Sequence, residues 1–155
     1  MGSLFNSANN FDQPIGSWDT SQVLTMDYMF AFNGRFSQNI SAWDVSRVTI
    51  MNNMFQLSAF NDDISSWDVS SVVNMESMFR EADFSRDVGS WNPASLRTMF
   101  RMFDSADMFN QNLCDWGPRL ASITNATNAF VGSNCDDTSD PNLAATPISP
   151  LCTTC

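Results

Sequence analysis

The chain has 155 residues, with 13 Phe, 10 Met and 5 Trp beside a single Tyr, no His, no Lys, and a net charge of −10. That balance excludes binding to a phosphate backbone, which needs clustered basic side chains, and it repels an anionic membrane surface. The length suits one domain with a sizeable core, and no stretch approaches the roughly 18 apolar residues of a membrane span.

Met1-Gly2-Ser3 has neither a basic flank nor an apolar core of signal-peptide type. It is expected to stand apart from the repeat, so that any export signal lies outside the chain. From Phe5 onward the sequence is periodic. Tryptophans fall at 18, 43, 67, 91 and 116, and seven residues before each stands Phe11, Phe36, Phe60, Phe84 or Phe109. Three before each is Ile15, Ile40, Ile64, Val88 or Leu113. Five after the first four come Val23, Val48, Val72 and Leu96, then the pairs Met26/Met29, Met51/Met54, Met75/Met78 and Met99/Met102. Each second methionine precedes Phe30, Phe55, Phe79 or Phe103, and Phe5 is the remnant of a truncated earlier unit.

A unit this small cannot bury its own apolar face and must stack on its neighbours. The run Val-x-x-Met-x-x-Met-Phe places one stripe on a short helix, with Ser21, Ser46 and Ser70 as N-caps. The Ile-x-x-Trp-Asp run suits a short strand. One strand and one helix in about 24 residues is of leucine-rich-repeat size. The fold expected is therefore an α/β repeat solenoid of about five units with a parallel sheet, spaced by about 4.8 Å per unit. The one-residue insertions before the next phenylalanine should lie in surface loops.

The wording from Phe36 to Phe55, repeated from Phe60 to Phe79, resembles the BspA-like surface-protein family, whose repeat is also known as DUF285 or the mycoplasma lipoprotein-associated repeat. The resemblance covers residues 4–113 as the repeat region, with 114–135 a degenerate capping repeat and 136–155 a tail rich in Pro, Ser, Thr and Asp. It implies a leucine-rich-repeat-like solenoid on secreted or cell-surface proteins, with adhesion in some members and no catalytic residue. The absence of lysine and the cysteine-bearing C-terminus are not implied by the repeat.

In the fifth unit Trp116 is followed by Gly117-Pro118, and Ile123, Ala126, Ala129 and Phe130 replace the valine, methionine and phenylalanine set. Shrinking methionine to alanine suits a terminal layer. Pro141, Pro147 and Pro150 point to an extended tail along this cap. Cys114, Cys135, Cys152 and Cys155 allow three pairings. Cys114–Cys135 with Cys152–Cys155 closes the cap locally, and the rival pairings tie the tail to it. Disulfides are favoured over a zinc site, which needs two close pairs, and over a redox pair at Cys152 and Cys155.

Asp19, Asp44, Asp68 and Asn92 form a column one residue after tryptophan. A calcium ladder is one reading, but asparagine at the fourth position favours a turn column whose side chain accepts backbone N–H groups. Met29, Met54, Met78 and Met102, with Phe30, Phe55, Phe79 and Phe103, read as repeat core rather than an adaptable binding stripe. Trp18, Trp43, Trp67, Trp91 and Trp116 read as an interior ladder rather than an aromatic ligand face. Asn39-Ile40-Ser41 and Asn125-Ala126-Thr127 are glycosylation triplets.

Without histidine, lysine, a nucleophile elbow or a phosphate loop, catalysis is not expected, and neither is a cofactor. Asp62-Asp63 and Asp136-Asp137 read as solvated pairs, and the threonine columns of an ice binder are missing. The expected function is binding of an extracellular protein or glycan, at the cell surface or in matrix, with no nucleic-acid partner and no membrane insertion. The expected contact residues are the polar triplets after each phenylalanine, such as Ser37-Gln38-Asn39 and Asn61-Asp62-Asp63. A structural spacer within a longer extracellular protein is the alternative.

Overall fold

The computed structural model describes residues 1–153. Within each unit the apolar residues three apart are the two ends of hydrogen-bonded turns. The tryptophan N–H donates to the aliphatic carbonyl three residues back at Trp18–Ile15, Trp43–Ile40, Trp67–Ile64 and Trp91–Val88, all at 3.1 Å. Val23, Val48 and Val72 close the next turn at 2.9 Å, onto Thr20, Val45 and Val69. Each second methionine then donates to the first, as in Met54 to Met51 at 3.3 Å.

Consecutive units lie on one another in register. Alternate N–H groups of one unit donate to carbonyls of the following unit: Met26 to Ile50, Tyr28 to Asn52, Phe30 to Met54 and Phe32 to Gln56, at 2.8–3.0 Å. The same set recurs from Met51 to Asn74 and from Met75 to Thr98. Parallel bridges at Thr25, Ile50, Asn74, Thr98 and Asn125 mark the same axis.

Inside, Phe5, Phe30, Phe55, Phe79, Phe103 and Phe130 form a column of near-parallel rings with centroids 5.5–5.8 Å apart. A second column of Phe11, Phe36, Phe60, Phe84 and Phe109 stands beside it, at steps of 5.9–6.4 Å. The methionine pairs from Met26 to Met102 are completely buried. Each such Phe or Met side chain contributes roughly 1.5–3 kcal/mol by leaving water.

Tryptophan joins the layers from the other side. The indole N–H of Trp43, Trp67, Trp91 and Trp116 donates to the carbonyl of Ile15, Ile40, Ile64 and Val88 in the preceding unit, at 3.0–3.2 Å. These four are at most 4% exposed. Trp18, in the first unit, is 39% exposed and has no such acceptor among the described residues.

The expected α/β solenoid of strand-and-helix units is overturned. Among the described residues the one helix is the 3-10 helix Cys114–Arg119 in the cap, and the pairings between units are isolated bridges rather than a sheet. The reason lies in the backbone. Tyr28, Phe32, Asn53, Leu57, Ser77, Glu81, Arg101 and Ser105 have φ of +51° to +58°, so every fourth residue of the methionine stretch is left-handed. A right-handed helix cannot pass through such residues, each of which costs roughly 1–2 kcal/mol when it is not glycine. The hydrogen bonds to the next unit offset that cost. Ser21, Ser46 and Ser70 accordingly cap no helix.

Two terminal expectations also change. Met1 lies in register with the first methionine column, and its amino group donates to the Thr25 carbonyl at 2.8 Å. Ser3, Phe5 and Ser7 continue that ladder onto Asp27, Met29 and Ala31. The tail is folded back on itself rather than extended, through an antiparallel bridge between Asn142 and Ser149. It seats Ile148, Leu151 and Cys152 in the core. Gly117 lies beneath it, where a Cβ would come within 2.7 Å of the Ile148 carbonyl oxygen. Cys135 pairs with Cys152, so the tail is bonded to the cap and the local Cys114–Cys135 pairing does not form. Cys114 is disulfide-bonded as well, and Cys155 lies outside the described residues.

The indole ladder makes a paired prediction. Trp91→Phe removes the indole donor to the Ile64 carbonyl, which keeps only the Trp67 N–H, and should lower unfolding free energy by about 0.5–1.5 kcal/mol. Trp18→Phe removes no such bond and should cost less than about 0.5 kcal/mol. Urea titrations followed by circular dichroism compare the two, and equal losses would contradict the ladder.

Candidate functional site

Each unit has polar corners and a wall, and the two use their side chains differently. At one corner Asp19, Asp44 and Asp68 accept the backbone N–H of Ser21, Ser46 and Ser70 at 3.0 Å. Asn92 accepts no such bond among the described residues. The Ser46 hydroxyl also donates to Asp44, at 2.6 Å. That hydroxyl and then the Ser46 N–H hold the Asp44 carboxyl below its ordinary value, as the Ser21 hydroxyl and N–H do for Asp19.

A second corner was not singled out from sequence. Asn39, Asp63, Asp87 and Asn112, each four residues before a tryptophan, accept the N–H of Ser41, Ser65, Gly89 and Cys114 at 2.8–2.9 Å. The Ser65 N–H, followed by its hydroxyl, depresses the Asp63 carboxyl. This column recurs as regularly as the one after tryptophan, and that recurrence was its signal.

The polar triplets expected to meet a ligand are partly exposed and also tied into the stack. Ser37 and Gln38 donate to Asp12 of the preceding unit, at 3.1 and 2.9 Å. The Gln38 amide, then the Ser37 N–H, keeps Asp12 below its ordinary value. Asn61 exchanges hydrogen bonds with Ser85, at 3.0 and 3.1 Å.

The wall comprises residues 24–32, 49–57, 73–81 and 97–105, the stretches that carry the ladder between units. Its backbone is fixed by that ladder, whereas its outward side chains differ from unit to unit. Leu24, Thr49, Val73 and Arg97 share one column, and Phe32, Leu57, Glu81 and Ser105 share another. Leu24, Ile50, Phe32 and Leu57 are 54%, 38%, 41% and 39% exposed. Toward the cap the wall turns polar. Arg80 pairs with Glu81 at 2.7 Å and approaches Asp104 at 3.4 Å, and Arg101 lies over the Phe100 ring at 5.1 Å. The wall holds four of the 17 acidic residues (Asp27, Glu76, Glu81, Asp104) and three of the seven arginines (Arg80, Arg97, Arg101). It is thus almost neutral in a chain of net charge −10.

Of the two glycosylation triplets, Asn39 is exposed, whereas Asn125 is half-buried and bridges to Thr98. An open groove of about 270 Å³ lies between the cap and the tail, lined by Gly117, Leu120, Ile123, Leu143, Pro147 and Ile148. Among the described residues no three acidic or cysteine side chains are grouped to hold a metal ion. No helix among them is long and apolar enough to cross a membrane.

Stacked turn units, a buried indole ladder and a disulfide-bonded end define a repeat protein whose described residues hold one short 3-10 helix and no regular strand. The chain belongs to the family described as Mycoplasma protein of unknown function, DUF285, whose model matches residues 1–59 and 51–140. The search of curated proteins and the search of solved structures returned no match.

The corner carboxylates predict acid sensitivity. Asp12, Asp19, Asp44, Asp63 and Asp137 are all depressed in the folded chain, the last by the Ser139 hydroxyl and then its N–H. Their stabilisation is complete above the ordinary carboxyl range and is lost as pH falls through the lowered values. The urea midpoint should hold steady from pH 7 to about 5 and drop below about pH 4. Asp44→Asn keeps an acceptor oxygen for Ser46 and should flatten part of that drop; an unchanged profile would remove Asp44 from this account.

Proposed function

We propose that the chain is a non-catalytic recognition module, secreted or held at a cell surface, which binds a protein or glycan ligand on its wall. One observation carries this reading: the columns facing inward repeat from unit to unit, whereas those on the wall do not. A stack needs only its interior and corners to be repetitive. Variation on an exposed, rigidly held face is what a binding surface requires. Its mix of Leu24, Tyr28, Phe32, Ile50, Leu57 and Phe100 with arginines resembles the centre of protein interfaces, where aromatic residues and arginine concentrate. Near-neutrality supports the same face, because a ligand docking there avoids the strongly acidic remainder of the chain. Asn39, exposed and at a corner away from the wall, is the triplet that would carry a glycan in a eukaryotic secretory route.

The alternative, a spacer that displays other domains, rests on the uniform stacking. A glycan and matrix-protein array probed with the folded chain separates the two. Retention of a ligand, weakened at least tenfold by Leu57→Asp and untouched by Ser66→Ala at the opposite side of the unit, supports the wall. Aspartate tolerates the left-handed backbone at residue 57, so the substitution should leave the fold intact. A chain that retains nothing on the array would favour the spacer.

A further inference from the structure

We propose that residues 136–153 form a redox-released strap, which a dithiol reductant lifts from the end of the stack while the repeat units stay folded. The tail is joined to the chain differently from any unit. Seven backbone hydrogen bonds link residues 49–58 to residues 73–83. Among the described residues the tail's ties to the rest of the chain include a 3.4 Å bond from the Leu113 N–H to the Leu151 carbonyl, the Asn128 N–H on the Asp140 carboxylate and a 4.0 Å contact of the Cys152 Sγ with the Asn110 Oδ1. The Cys135–Cys152 disulfide adds a covalent tie at the same place.

The seat beneath the tail is also unlike an internal layer. Ile148 and Leu151 cover it, but an open groove of about 270 Å³ runs beside them between tail and cap. Solvent therefore reaches the seam between tail and cap, as it does not between the fully buried internal layers. The covered layer is trimmed as well. Ala126 and Ala129 stand where the internal units have Met99 and Met102, so lifting the tail exposes less apolar surface than separating two units would.

Stacked units draw their stability from their immediate neighbours, so an end can open without unfolding the rest. The chemistry balances with a dithiol as the electron donor. One of its thiolates attacks a sulfur of the Cys135–Cys152 bond, forms a mixed disulfide and displaces the other cysteine. The second thiol then closes the reductant into a cyclic disulfide. Two electrons and two protons pass to the chain for each bond opened, and the same exchange opens the bond that Cys114 makes.

The test uses the full chain carrying Trp18→Phe, in which the four remaining tryptophans are all buried. Dithiothreitol is titrated while thiols are counted by mass after alkylation, and indole exposure is followed by acrylamide quenching. Limited proteolysis and near-ultraviolet circular dichroism are recorded in parallel. Once the thiols appear, about one of the four indoles, Trp116 under the tail, should become quenchable. Protease should then cut within 136–153, circular dichroism of the stack should persist, and oxidised glutathione should reverse each change. Exposure of all four indoles with loss of the circular dichroism would make the bonds structural staples and overturn the proposal. Free thiols with no newly quenchable indole, or a bond that resists the reductant, would overturn it too.

Discussion

Every unit depends on a neighbour to satisfy its backbone. The N–H groups of Met51, Asn53, Phe55 and Leu57 have their acceptors in the next unit, and the carbonyls of Ile50, Asn52, Met54 and Gln56 have their donors in the previous one. A buried peptide group without a partner costs about as much as a lost hydrogen bond, so an isolated unit could not hold this conformation. The left-handed residues follow from the same constraint. They turn alternate N–H groups along the axis of the stack, where the adjoining unit supplies a carbonyl, and the buried phenylalanine and methionine columns hold the layers together while they do so.

The interior was legible in the sequence because its columns recur at fixed spacing. Phe36, Ile40, Trp43, Val48, Met51, Met54 and Phe55 could be assigned inward from periodicity, and all seven are buried. What they could not disclose was the local conformation. Apolar residues at i and i+3 fit one face of a helix and equally fit the two ends of a turn. The usual signs of a left-handed residue are glycine or asparagine, yet Tyr28, Phe32, Leu57, Glu81 and Arg101 occupy these positions. Only Asn53, Asn128 and Gly132 announce them in the ordinary way. Local propensity was overruled by the ladder, and the strand-and-helix unit was the wrong reading of a correct pattern.

The polar triplets do reach the surface, with Ser37, Asn39 and Asp63 exposed, but they also serve the stack. Ser37-Gln38-Asn39 and Asn61-Asp62-Asp63 are polar and differ between units, so sequence alone marked them as outward and free. Their differences are compensated within the stack. Gln38 meets Asp12 where Asn61 meets Ser85, so adjacent units solve the same contact with different pairs. On the wall the backbone beneath already supplies the main contact between units, and Arg80 with Asp104 is a side-chain pair added to it. Cysteine spacing likewise could not choose among pairings, since the choice turns on how the tail doubles back.

The direction of the ladder also gives the molecule an electrical polarity. In the wall four N–H groups of each unit, such as Met51, Asn53, Phe55 and Leu57, point toward the cap, and they outnumber those at its edge, such as Thr49, Val73 and Arg97, that point back, so the peptide dipoles add on balance along the axis. The cap end is therefore the positive pole of the wall. The Asp140 carboxylate, held against the Asn128 N–H, places a negative charge there, and the tail thereby acts as the counter-ion of the stack it covers.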